Sequence, residues 1–232
     1  MKPVLEVCAH SVESAVSAER GGAMRLELCA NLMIGGTSPD EDLFRMVRER
    51  VSVPVRVLLR PRCGDFLYTE SEFELLCRQV KRFAALGADG IVIGVLTPEG
   101  DLDEARMEKL IALAGGCGVT LHRAFDVCRD PFAALETAKR LGVDTILTSG
   151  QQADCTAGAE FAARAGCKSR RECADPGRCR RKCCGNPRIA AENRRECLSS
   201  FRKAGGKQQN AVSARKCADG TARIERIQSV AV

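Results

Sequence analysis

The 232-residue chain is short of several things, and each shortage removes a class of function. It has only two histidines, so a multi-histidine zinc site in its main body is excluded in practice. No run approaches the roughly 18 apolar residues that a membrane-spanning helix needs, and no membrane partner is expected. The opening "MKPVLEVCAHS" lacks the long apolar core and small-residue cleavage site of a secretory leader. The expected location is therefore the cytoplasm, where thiols stay reduced. No glycine-rich dinucleotide fingerprint follows the first strand-like segment, so a dinucleotide cofactor is not indicated.

What is present is unevenly spread. Up to Glu160 there are 18 Lys+Arg against 24 Asp+Glu, a net of −6; the remaining 72 residues hold 18 against 6, a net of +12. Seven of the 14 cysteines lie on each side, so their density more than doubles in the shorter part. The chain's overall +6 averages over two different polymers and says nothing about the partners of the body.

The body alternates short strand-like and longer helix-like segments. The strand candidates are "VLEVC" (4–8), "RLELC" (25–29), "VPVRVLLRP" (53–61), "GIVIGVL" (90–96), "VTLHRAF" (119–125) and "TILTSG" (145–150). Helices are expected near 11–21, 39–50, 70–86, 103–114 and 131–141. Ser38 before Pro39 reads as a helix start, Thr69 with Glu72 has capping-box spacing, and Asp130-Pro131 is a cap followed by proline. "ALGADG" and "RLGVDT" put a glycine where a helix gives way to a strand. Six such units predict an α/β fold of the (β/α)₈ barrel type, incomplete at six βα units over residues 1–160. The runner-up is an open doubly wound sheet. Residues 161–232 show no apolar period and are rich in arginine, cysteine and glycine. They are expected to be an irregular, basic, Cys-rich tail, which leaves strands one and six as exposed edges.

Side chains two apart on a strand share a face. Glu6 and Cys8 therefore share one, as do Glu27 and Cys29 on the next strand. A carboxylate amid aliphatic strand residues needs a partner, whereas a cysteine there is also a common small core residue. Arg60 and Arg62 share a parity at the end of the third strand, with Asp65 in the loop beyond. "LHRAFD" puts His122, Arg123 and Asp126 at the end of the fifth, and Ser149-Gly150 closes the sixth. Strand ends are where barrel sites form. The expected pocket is Arg60, Arg62, Asp65, His122, Arg123 and Asp126 at the mouth, with Glu6 and Glu27 deeper. It suits a small anionic or polar molecule; a structural network of ion pairs inside the barrel is the competing reading.

The segments "LEVCAHSVESAVSAERGGAMRLELCANLMIGGTSP", "RPRCGDFLYTESEFE", "GADGIVIGVLTPEGDLD", "VTLHRAFDVCRDPFAALETAKRLGV" and "ILTSG" resemble, in order, the CutC family of copper homeostasis proteins, over residues 4 to about 160. The resemblance implies a (β/α)₈ barrel and cytoplasmic handling of copper. It also implies Cys8 and Cys29 as the positions proposed for Cu(I), a soft ion that thiolates suit. Cys63 departs from the family, which has glycine in "RPRGGDF". Two other functions remain open beside copper binding: an enzyme acting on a small phosphorylated or carboxylated substrate at the barrel mouth, and nucleic-acid binding by the basic tail. The last is disfavoured, because the tail's only aromatic residues, Phe161 and Phe201, leave little to stack on bases. A homo-oligomer is compatible with the sequence.

The family's last two strands do not appear after residue 160 in this reading frame. Synonymous codons exist that, read one base later, turn "FAARAGCKSRR" into "LLRELVANRG", "ECADPGRCRRKC" into "NARILAGAGVS" and the stretch from Glu196 into "NVFHLSGKRVANSKMRF". These are a helix, a strand with a glycine-rich turn, and a final strand, in family order and at one offset. The tail accordingly reads as a frameshift near Glu160–Phe161.

Overall fold

The structure, a computed structural model, describes residues 4–153, 156–161 and 228–231. Elements run β1 (Glu6–Ala9), α1 (Val12–Arg20), β2 (Arg25–Leu28), α2 (Glu41–Arg48), β3 (Val55–Leu58), α3 (Glu70–Ala85), β4 (Gly90–Ile93), α4 (Glu104–Leu113), β5 (Gly118–Leu121), α5 (Pro131–Arg140), β6 (Thr145–Thr148) and β7 (Gln228–Ala231). Short 3₁₀ turns at Leu32–Ile34 and Arg123–Val127 follow β2 and β5. Strands β1 to β6 are parallel and lie in chain order. With a helix after each of the first five, they form a curled part of a (β/α)₈ barrel.

The helix starts follow local chemistry. Thr69 and Glu72 close a reciprocal capping box on α3, and the Asp130 carboxylate accepts from Phe132 N and Ala133 N ahead of Pro131. The start of α2 is shifted from the sequence expectation. Asp40 is its cap, accepting from Asp42 N. Ser38 instead ties elements together: its hydroxyl accepts from Arg60 N and donates to Gln79 Oε1. The glycines of "ALGADG" and "RLGVDT" take φ of +82° and +77°, the left-handed geometry that ends α3 and α5.

Parity divides the sheet. Leu26, Leu28, Val55, Val57, Ile91, Ile93, Val119, Leu121 and Ile146 face the helices. There they form one core with residues such as Phe44, Leu76, Phe83, Met107 and Leu135. The other parity carries Glu6, Cys8, Glu27, Cys29, Arg56, Arg60, Thr120, His122 and Thr145 on the inner face, and most of these are buried.

The expected division at residue 160 concerns a tail that lies almost wholly outside the described residues, and the frameshift reading lies there with it. Two facts bear on its ends. Phe161 packs against Phe125 and Phe132, with ring centroids 6.4 and 5.2 Å away. The four-residue β7 pairs antiparallel with β6, from Thr145–Ala231 to Thr148–Gln228. The outer edge of β6 is thus not exposed as expected, because β7 takes up its outward backbone groups.

Candidate functional site

The strand register stacks the inner face in levels. Cys8 is opposite Glu27, Glu27 opposite Arg56, Arg56 opposite Gly90, and Gly90 opposite Gly118. Two residues on, Cys29, Leu58, Val92 and Thr120 make the next level, and Thr120 is opposite Thr145. Two further on, just past the paired residues, the same registers bring Arg60, Gly94 and His122 level beyond the ends of β3, β4 and β5.

The lower levels are an ionic scaffold. Arg25 grips Glu6 with two parallel bonds of 2.8 and 2.9 Å, and the Glu6 side chain is only 1% exposed. Glu6, expected deep in the pocket, is therefore committed to Arg25. Arg56 crosses the interior to donate to the hydroxyls of Thr120 and Thr145, and its guanidinium stands 3.9 Å from Asp144. It can cross because β4 and β5 begin with glycine. A Cβ on Gly90 would lie 2.9 Å from Arg56 Cγ, and one on Gly118 would lie 2.8 Å from Arg56 Nη2. Burial draws the Arg56 pKa down, with nearby Arg25 adding to the effect and Glu6, Asp144 and Glu27 opposing it. Glu27 is buried at this level, beside Cys8 and Arg56.

Cys29 sits above Glu27 in a small apolar group with Leu58 and Val92. Its thiol donates weakly to Ala9 O at 3.5 Å. Burial, and then the Glu27 charge, push its pKa up to about 12. Cys8 is half-buried on the neighbouring strand, one level lower. That is an offset of about 6.5 Å along the strands and about 4.8 Å across them.

At the upper level Arg60 is buried, and its two terminal nitrogens donate to Gly35 O, Gly36 O and Gly64 O at 2.7–3.3 Å. Its Nε is buried with no partner. The guanidinium lies over the Phe66 ring at 5.0 Å, and the same ring meets the His122 imidazole with centroids 4.6 Å apart. His122 Nδ1 accepts from Ala124 N at 3.2 Å, so the ring proton is on Nε2, which is buried and unpartnered. Burial, reinforced by Arg60, brings the His122 pKa down to about 3, so the ring is neutral. Gly94 makes room for it: a Cβ there would lie 2.5 Å from His122 Cε1.

The remaining sequence candidates form two separate clusters. Arg62 lies in the loop after β3, donating to Glu72 at 2.6 Å and Asp65 at 2.9 Å and sitting over Tyr68. Hydrogen bonds to Arg62 hold Glu72 and Asp65 below the usual carboxylate range. Asp126 is a hub for the end of β6: its carboxylate accepts from Ser149 N, Gln151 N, the Thr148 hydroxyl and the Arg123 guanidinium. Arg123 also donates to Ser149 Oγ at 2.7 Å. Sequence reasoning passed over Arg56, Gly90, Gly94, Gly118 and Phe66. Arg56 carried the same signal as Glu6, a charge amid aliphatic strand residues. The glycines carried theirs only through a register that sequence does not show.

A half-closed parallel barrel with a charged, thiol-bearing interior defines the class: a (β/α)₈-type protein whose site is built from the inner face and the strand ends. The chain belongs to the CutC family, whose model matches residues 3–164. It is 48% identical over 155 residues to CutC family proteins of Salmonella schwarzengrund and Salmonella typhi, covering 67% of this chain and 62% and 60% of theirs. The chain thus spans about three-fifths of the length of these relatives. A solved structure from Streptococcus agalactiae, described as a candidate copper homeostasis protein CutC, shares the fold at a TM-score of 0.67 and 23% identity. The match covers 85% of this chain and 94% of that one.

Proposed function

We propose that this chain serves copper homeostasis and that Cu(I) is its cargo, taken by Cys8 and Cys29. The observation that carries the reading is the placement of two thiols on the inner face of adjacent strands, with the Glu27 carboxylate level with Cys8. Thiolates select Cu(I), and a buried carboxylate favours a cation. Membership of the CutC family and the name of the Streptococcus agalactiae relative support the copper assignment. The described residues contain no group of three or more His, Cys, Asp and Glu side chains arranged to hold an ion. A thiol pair suits Cu(I) better than Zn²⁺ with its four ligands. All six cysteines assigned a state among the described residues are thiols, in keeping with a reducing cytoplasm.

The Cys29 thiol, with its pKa near 12, is protonated at neutral pH, so a bound ion must displace that proton. Affinity for Cu(I) should therefore strengthen as pH rises from 6 to 8. Anaerobic titration with Cu(I) against a competing chelator tests the reading. The wild type should bind one ion, and the Cys8→Ser/Cys29→Ser variant should not compete. Equal stoichiometry and affinity in the two proteins would remove these cysteines as ligands.

A further inference from the structure

The level above Cys29 holds two donors that the copper reading does not use. Arg60 Nε–H and His122 Nε2–H are both buried and both without an acceptor. Leaving one such group unpaired is unfavourable, and more so for a charged one. Two of them on side chains that meet the same Phe66 ring point to a group that completes them. Continued two residues past Leu58 and one past Leu121, the β3–β4 and β4–β5 registers bring Arg60 and His122 level with Gly94, whose missing side chain leaves room for the imidazole and for Ala124. Phe66 contacts both planar groups and fixes their orientation. Beneath them Cys29, Leu58 and Val92 form an apolar floor.

The charge at this level is equally specific. Among the described residues Arg60 has no carboxylate in ion-pair contact, and its other donors hold backbone carbonyls of the Gly35-Gly36 turn and Gly64. His122 is neutral. The level therefore offers one positive charge and two N–H donors. That complements a monoanion with two acceptor oxygens and falls short of what a phosphate dianion demands. We propose that Arg60 Nε–H and His122 Nε2–H together bind the carboxylate of a small monocarboxylic acid at the strand-end mouth of the barrel, above the Cys29 floor. This site is distinct from the thiol pair.

Long-range ¹H–¹⁵N NMR of the imidazoles in the whole chain tests the proposal, since only His10 and His122 contribute and His10→Gln assigns them. Formate and acetate should shift the His122 Nε2 resonance saturably while the ring stays neutral, and inorganic phosphate should bind more weakly. Arg60→Gln should weaken formate about tenfold or more. Cys8→Ser/Cys29→Ser should leave formate binding unchanged, which separates this site from the copper site. Three outcomes would each overturn the proposal: no saturable shift, as when water already serves both donors; phosphate binding more tightly than either carboxylate; or unchanged affinity in Arg60→Gln. If Arg60→Gln does not fold, the wild-type comparison of formate with phosphate decides.

Discussion

Both ends of the barrel interior are charged, and they treat charge in opposite ways. Where the strands begin, Glu6 and Arg25 satisfy each other, and Arg56 reaches across two glycines to hydroxyls on β5 and β6. Where the strands end, Arg60 and His122 keep buried donors with no acceptor. The lower network has the form of a structural scaffold. The upper one leaves two buried donors for a bound group to complete. Cys29 lies between them, packed among aliphatic side chains just under the unsatisfied level, and Cys8 lies one level lower, beside Glu27.

The largest effect is expected from breaking the lower network. Arg25→Met would leave a carboxylate buried without its partner, which costs about 3–5 kcal/mol. Urea unfolding of the full chain should show that loss, and Glu6→Leu/Arg25→Met should recover most of it. A single-variant loss below about 1 kcal/mol would mean that this end is not the scaffold described here.

A smaller loss is expected at the upper level from Gly94→Ala. The added Cβ would meet the His122 ring at 2.5 Å and Ala124 Cβ at 2.9 Å. Overpacking of this kind costs about 1–3 kcal/mol. The displaced imidazole should also lose its response to formate in the NMR titration. Unchanged stability together with an unchanged formate response would show that the level is looser than its geometry implies.

The contrast between the two ends was only partly legible in the chain. Period-two alternation was enough to put Glu6, Cys8, Glu27 and Cys29 on shared faces, because the helix-facing residues between them are unbroken aliphatics. The same rule failed for Arg62. β3 ends at Leu58, and beyond it the chain bends, so Arg62 turns to Glu72 and Asp65. Asp126 sits in a 3₁₀ turn, where strand parity has no meaning, and its role depends on backbone N–H groups more than twenty residues away. The choice of Arg25 as the partner of Glu6 required the β1–β2 register. The room that Gly90, Gly94 and Gly118 provide required the positions of side chains on neighbouring strands.

The smallest effect, and the sharpest test of the upper level, is a pH dependence. In the folded protein His122 has a pKa of about 3, well below the 6.5 of an unperturbed histidine. Between these values the unfolded chain binds a proton that the folded chain refuses. Stability is therefore fully present above about pH 6.5 and falls as the solution is acidified towards pH 3. The expected slope is about 1.4 kcal/mol per pH unit. The window from pH 6 to 5 isolates it, because the carboxylates held low by Arg62 titrate below that range. The other histidine, His10, is exposed. His122→Asn keeps an acceptor for Ala124 N and removes the titration, so its urea midpoint should be nearly flat over this window in a carboxylate-free buffer. Equal slopes in the wild type and His122→Asn would mean that the ring is reached by water and protonates in place. The strand-end level would then be an open polar mouth, with no pair of buried donors awaiting a ligand.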